Sequence, residues 1–236
     1  MLSVGAFVIA IVIGYFFIPA LLKKETIRLF LSDTTNSESS RRDRILKPLT
    51  DRLGFITPNF VSYIGFILVF ALIYFFETGA HIGVIFLVTL LAGFTDMLDG
   101  SLARNSNRVT RRGAILDVLR DVLLALVVSY YLISASILSY DLFFWFALGW
   151  ILLGAVRSFE FKVSSGKFLQ TEEDYKLVLD RVRLFIYIVG ILFLLLIPFE
   201  RDFRTLGETL IVTSIVLSWV SLLFHSAHLK ILREEW

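Results

Sequence analysis

The chain has 236 residues, 57% of them hydrophobic and 19% charged, with a mean hydropathy of +0.78. Soluble domains run about 45–50% apolar and about 25% charged, so this composition is that of a membrane protein. A formal net charge of +2 argues against a nucleic-acid partner, and the absence of cysteine excludes disulfides, zinc–thiolate sites, iron–sulfur clusters and thiol catalysis.

Apolar runs of about 18 residues or more mark transmembrane helices. Seven occur, at 3–22, 58–77, 82–103, 113–136, 141–161, 178–198 and 206–228. The first is apolar from Val4 to Leu22, without the basic n-region or small-residue cleavage site of a signal peptide, and reads as a retained anchor. Residues 23–44, including SDTTNSESSRRDR, form a polar linker on the cytoplasmic side. In RDRILKPLTDRLGF, Ile45, Leu49 and Leu53 recur every fourth position among basic residues, which predicts a short helix lying in the membrane interface. The expected organisation is therefore an additional N-terminal transmembrane helix (1–22), the linker (23–44) and a principal domain (45–236). The class is all-α integral membrane.

Lys and Arg alternate between loops. Eight fall in 23–52, and Arg104, Arg108, Arg111 and Arg112 occupy the next loop on that side. Arg157, Lys162, Lys167 and Lys176 follow, then Lys230 and Arg233. The loops around Glu77–His81 and Ser136–Asp141 hold none, and the one at 200–205 holds Arg201 and Arg204 beside Glu200 and Asp202. The positive-inside rule then places the N-terminus outside and the C-terminus in the cytoplasm.

Against this background, Asp96, Asp99, Asp117 and Asp121 stand within or at the inner ends of apolar helices, where an ionised carboxylate costs a few kcal/mol and usually serves a function. Asp96, Asp99, Gly100 and Ala103 share one helical face, as do Gly113, Asp117 and Asp121. The connection from about Asn105 to Arg112 is short, so the two helices are expected as antiparallel neighbours with all four acids at one depth. Clustered oxygens suit a hard divalent cation that leaves places for substrate phosphate. Gly100 allows a ligand close to the backbone, and Arg104 offers a charge to a phosphate. Interhelical pairing of the acids with Arg120 is the structural alternative. A cation- or proton-coupled transporter is the functional one, opposed by the absence of a repeat and by the position of the acids near one membrane face.

The pattern Asp96-x2-Asp99-Gly100-x2-Ala103-Arg104-x8-Gly113-x3-Asp117-x3-Asp121 resembles the signature of the CDP-alcohol phosphotransferase (CDP-alcohol phosphatidyltransferase) family, class I. Thr57-Pro58-Asn59 resembles the start of that family's first core helix. The resemblance covers about residues 45–230. It implies a core of six transmembrane helices preceded by an interfacial helix, with 3–22 as an addition. It also implies transfer of a substituted phosphoryl group from a CDP-linked donor to an alcohol, with release of CMP, in phospholipid biosynthesis. By this likeness Asp96, Asp99, Asp117 and Asp121 hold Mg²⁺ or Mn²⁺, as two ions, and Asp121 is the general base. Asn59, Asp96, Asp99, Gly100, Ala103, Arg104 and Gly113 form the CDP site. The site would face the cytoplasm, and a homodimer is implied.

The acceptor is read from GAVRSFEFKVSSGKFLQTEEDYKLVLDRVRLFIY, which loosely resembles the matching stretch of phosphatidylinositol-phosphate synthases. Arg157, Lys167, Arg181 and Arg183 are the expected contacts of a phosphorylated acceptor, with headgroup snorkelling as the alternative. The donor is expected to be a lipid such as CDP-diacylglycerol, the alternative being a soluble CDP-alcohol with a lipid acceptor. His81, His225 and His228 read as interfacial residues. Trp145, Trp150, Trp219 and Trp236 read as core, lipid-facing or interfacial residues, with no binding role.

Overall fold

The computed structural model describes residues 9, 11–24, 26–27, 43–106, 108, 110–165 and 178–234. Its helices are α1 (Ile11–Leu21), α2 (43–52), α3 (Pro58–Glu77), α4 (Ile82–Asn105), α5 (Arg111–Ser134), α6 (Tyr140–Ser165), α7 (Val178–Leu195) and α8 (Asp202–Glu234). No strand occurs among the described residues. Among the described residues, four helices are long and apolar enough to cross a membrane: α3, α4, α8 and the Tyr140–Glu160 part of α6. That fits a multi-pass membrane protein. The expected count of six plus one is larger. α5 has the length, at 24 residues, but carries Asp117, Arg120 and Asp121 within its apolar stretch.

Local chemistry sets the helix boundaries. Pro58 begins α3 in the first turn, where its missing N–H costs nothing, and the preceding Thr57 is extended. Gly79 closes the turn after α3 at φ +65, a backbone region that glycine enters freely. α5 starts two residues before the expected Gly113, because the Thr110 side chain accepts the Gly113 N–H at 3.1 Å and caps the first turn. In α1 the helix is interrupted at Phe17, just before Pro19, so the expected continuous run of 3–22 is broken in its described part. The short helix expected from Ile45 is present as α2, with Ile45 and Leu49 exposed.

The chain divides into two compact units. One comprises Glu38–Tyr140 and Tyr187–Leu210. In it, α3, α4 and α5 pack on one another, and Ser129 of α5 shares a buried 2.7 Å hydrogen bond with Tyr187 of α7. α2 is fastened to the end of α4: Asp43 accepts from Arg104 Nε at 2.7 Å, from Arg104 Nη2 at 2.9 Å and from Ser101 Oγ at 2.8 Å. Asn105 adds a 2.8 Å bond to Thr50.

The other unit comprises Met1–Ser37, Asp141–Ile186 and Ile211–Trp236. Leu153, Val156 and Leu222 form a core in which α6 meets α8, with Ile11 of α1 and Trp219 packed against it. α1 lies so close to α8 that a Cβ on Gly14 would come within 2.6 Å of the Leu223 carbonyl oxygen. Along α8, Ser214, Ser218, Ser221, His225 and His228 repeat at spacings of four and three, and all are buried. This polar stripe meets partners on two helices. Ser214 donates to the Arg183 carbonyl at 2.6 Å, Arg183 Nη1 donates to Ser218 at 3.1 Å, and Glu160 bonds His225 Nδ1 at 2.6 Å and His228 Nδ1 at 3.1 Å. The expected interfacial position of the two histidines is corrected here: a buried carboxylate on α6 draws both rings inside.

Candidate functional site

The site lies within the first of these units, between the C-terminal part of α4 and the N-terminal part of α5, with α3 behind it. Helical spacing turns Asp96 and Asp99 on α4 to the same side as Asp117 and Asp121 on α5. One carboxylate oxygen from each of Asp96, Asp99 and Asp117 lies within 4.8 Å of the others. Asp99 is the deep member, 2% exposed, whereas the Asp96 and Asp117 side chains are open to about a third of their surface and Asp121 to 22%. The group therefore has a buried floor and a reachable rim.

Arg120 is the centre of this arrangement. Its side chain is completely buried, with Nη1 on Asp99 Oδ2 and Nη2 on Asp96 Oδ1. Nη2 also lies 3.8 Å from Asp117 Oδ1 and 3.7 Å from Asp121 Oδ1. Space for its stem is made by α3. A Cβ on Gly65 would stand 2.5 Å from Arg120 Cδ and 2.7 Å from Thr95 Oγ1. Ser62, one turn earlier on α3, donates to Asp99 Oδ2 at 2.7 Å. One carboxylate oxygen of Asp99 thus takes two donors.

The other takes none. Asp99 Oδ1 is buried without a hydrogen-bond partner among the described residues. A buried, unsatisfied anionic oxygen is costly, and a hard cation is the partner its chemistry accepts best. Among the described residues, the four carboxylates share the one guanidinium of Arg120, which leaves the group acidic. The residues present therefore fit a divalent ion.

A family model described as CDP-alcohol phosphatidyltransferase matches residues 55–224, which include all four aspartates. The chain belongs to the CDP-alcohol phosphatidyltransferase family. Members transfer phosphate from a CDP-alcohol to an alcohol, which makes this protein a transferase. Among curated proteins, no sequence matches it.

The remaining expected residues of this CDP-alcohol phosphatidyltransferase are found as follows. Asn59 and Gly113 are neighbours across α3 and α5, since a Cβ on Gly113 would be 3.3 Å from Asn59 Oδ1. Beside Gly100 stands the guanidinium of Arg104, 3.4 Å from where a Cβ would be. Arg104 itself is engaged by Asp43, and Ala103 is half-buried next to it. Arg157 is half-buried on α6 and Arg183 buried on α7, both in the other unit. Lys167 and the Arg181 side chain lie outside the described residues. Ser62, Asp43 and Glu160 are polar contacts that no motif singles out. Their partners stand 37, 61 and 65 residues away, beyond any local pattern.

Proposed function

We propose that this protein transfers the phosphatidyl group of a CDP-linked lipid, of the CDP-diacylglycerol kind, to a hydroxyl of a polyol phosphate, releasing CMP in phospholipid synthesis. The observation that carries this reading is the convergence of Asp96, Asp99 and Asp117 around a buried oxygen that has no hydrogen-bond partner among the described residues, in a chain of this family. These three, with Asp121, hold one or two Mg²⁺ or Mn²⁺ ions. When bound, the metal offsets charge on the pyrophosphate and on the departing CMP.

The protein's own groups supply the rest. Asp121 is open enough to be reached, and it takes the proton of the attacking hydroxyl. The hydroxyl oxygen bonds to the lipid-bearing phosphorus as the bridging phosphorus–oxygen bond breaks. CMP departs with that electron pair. Asn59 and Gly113 on one side, with Gly100, Ala103 and Arg104 on the other, bound the CDP pocket. Arg157, Lys167, Arg181 and Arg183 receive the acceptor phosphate. What favours a charged acceptor is the guanidinium of Arg183, buried among helices where cations are costly. Residues 45–236 form the catalytic domain, working as a homodimer with its site toward the cytoplasm and its N-terminus outside.

Purified protein given CDP-diacylglycerol, Mg²⁺ and a panel of acceptors tests the reading. Glycerol 3-phosphate or an inositol phosphate should yield CMP, and chelation or Asp121→Asn should abolish it. Release only from serine, choline or inositol would reject the phosphorylated acceptor. Release only from a soluble CDP-alcohol and a lipid acceptor would invert the donor. No release from any pair, together with no metal-dependent thermal shift by CDP, would reject the enzyme reading.

A further inference from the structure

We infer that Arg120 is a resident cation of the aspartate site: its guanidinium occupies one of two cation places among the four carboxylates, so the site takes a single divalent ion. The inference rests on reading Asp96, Asp99, Asp117 and Asp121 as a metal site, and it sharpens that reading from one or two ions to one.

Three observations carry it. The first is position. Nη2 of Arg120 bonds Asp96 and lies within 4 Å of oxygens from Asp117 and Asp121, while Nη1 bonds Asp99. One guanidinium thus touches or faces every acid in the group. A surface ion pair between neighbouring helices would engage one carboxylate and leave the others to water.

The second is that the placement is built. The side chain is 0% exposed, and Gly65 supplies the room for its stem. Ser62 and Thr95, on the two helices that flank the stem, direct their hydroxyls to Asp99 and to the Ala92 carbonyl, so neither occupies the guanidinium. The Arg120 Nε is buried and has no hydrogen-bond partner among the described residues. The fork is aimed so that both terminal nitrogens reach acids even though the third nitrogen goes unsatisfied. Moving it off the acids would leave a full charge inside an apolar helix bundle.

The third is what remains available. Arg120 uses Asp99 Oδ2 and Asp96 Oδ1, and leaves Asp99 Oδ1 buried and open. One interior oxygen is thus free for one ion, together with the reachable oxygens of the rim. A second divalent ion among the same carboxylates would sit against the guanidinium and be repelled by it.

Equilibrium dialysis of the purified full-length protein against Mn²⁺, with saturating CDP, reads the number of ions bound without any turnover. The wild type should bind one per chain. Arg120→Gln, which keeps the length but not the charge, should bind two, the first about tenfold or more tightly than the wild type does. Arg120→Lys, which restores a cation, should return the count to one. Two ions on the wild type would overturn the inference and leave the metal-site reading intact. So would a count of one on Arg120→Gln. No Mn²⁺ bound to the wild type, with no CMP released from any donor, would overturn both. If Arg120→Gln shows no cooperative melt, the wild-type count and Arg120→Lys still decide the matter.

Discussion

Asp99 differs from its three neighbours in being buried. One oxygen is held by Ser62 and Arg120, and the other is open to an ion. Asp99→Asn keeps the shape and replaces that acceptor pair by one oxygen and an amide. CMP release should fall by about 10²-fold or more, and the stabilisation of the protein by Mg²⁺, read as a thermal shift, should vanish. A fall in activity with the Mg²⁺ shift preserved would put the ion elsewhere. Gly65 is the quieter counterpart. In Gly65→Ala the added methyl meets Arg120 Cδ and Thr95 Oγ1, costing about 1–3 kcal/mol and lowering the melting temperature. Shortening the opposing side chain in Gly65→Ala/Arg120→Ala should recover part of that loss relative to the sum of the single changes, because the clash with Arg120 is gone while that with Thr95 remains.

Elements show where sequence patterns suffice and where they stop. α3 is found where its pattern places it, since proline at the first turn and a glycine turn after Glu77 are local signals. α8 was expected over 206–228 but runs Asp202–Glu234. Hydropathy marks the part of a helix that lipid can hold, while backbone hydrogen bonds continue through the charged turns at both ends. The aspartates were legible because i, i+3 and i, i+4 spacing is itself local geometry. The fastening of α2 was not, because Asp43 and Arg104 are brought together only by tertiary structure. That clamp is testable as an element. Asp43→Asn should speed amide hydrogen exchange across 43–52 by about tenfold, leaving α3 unchanged, because a two-pronged charged contact becomes a weaker neutral one. Equal exchange in both proteins would mean that the Asn105–Thr50 bond alone holds the helix.

For the molecule as a whole, the cysteine-free sequence makes topology directly measurable. Single cysteines at Ser136 and at Arg108 should react with an impermeant maleimide from opposite sides of the membrane, Ser136 from outside. Labelling of both from one side would reverse the assignment made from Lys and Arg. The stripe of Ser214, Ser218, Ser221, His225 and His228 has a consequence for how the chain is made. α8 is synthesised after α6 and α7, and it carries the hydroxyls and imidazoles that answer Arg183 and Glu160 on those two helices. Until α8 leaves the ribosome, those two charged side chains are inserted without these partners. A truncation before Ser214 should therefore leave both charges without these partners and lower the melting temperature of what is inserted.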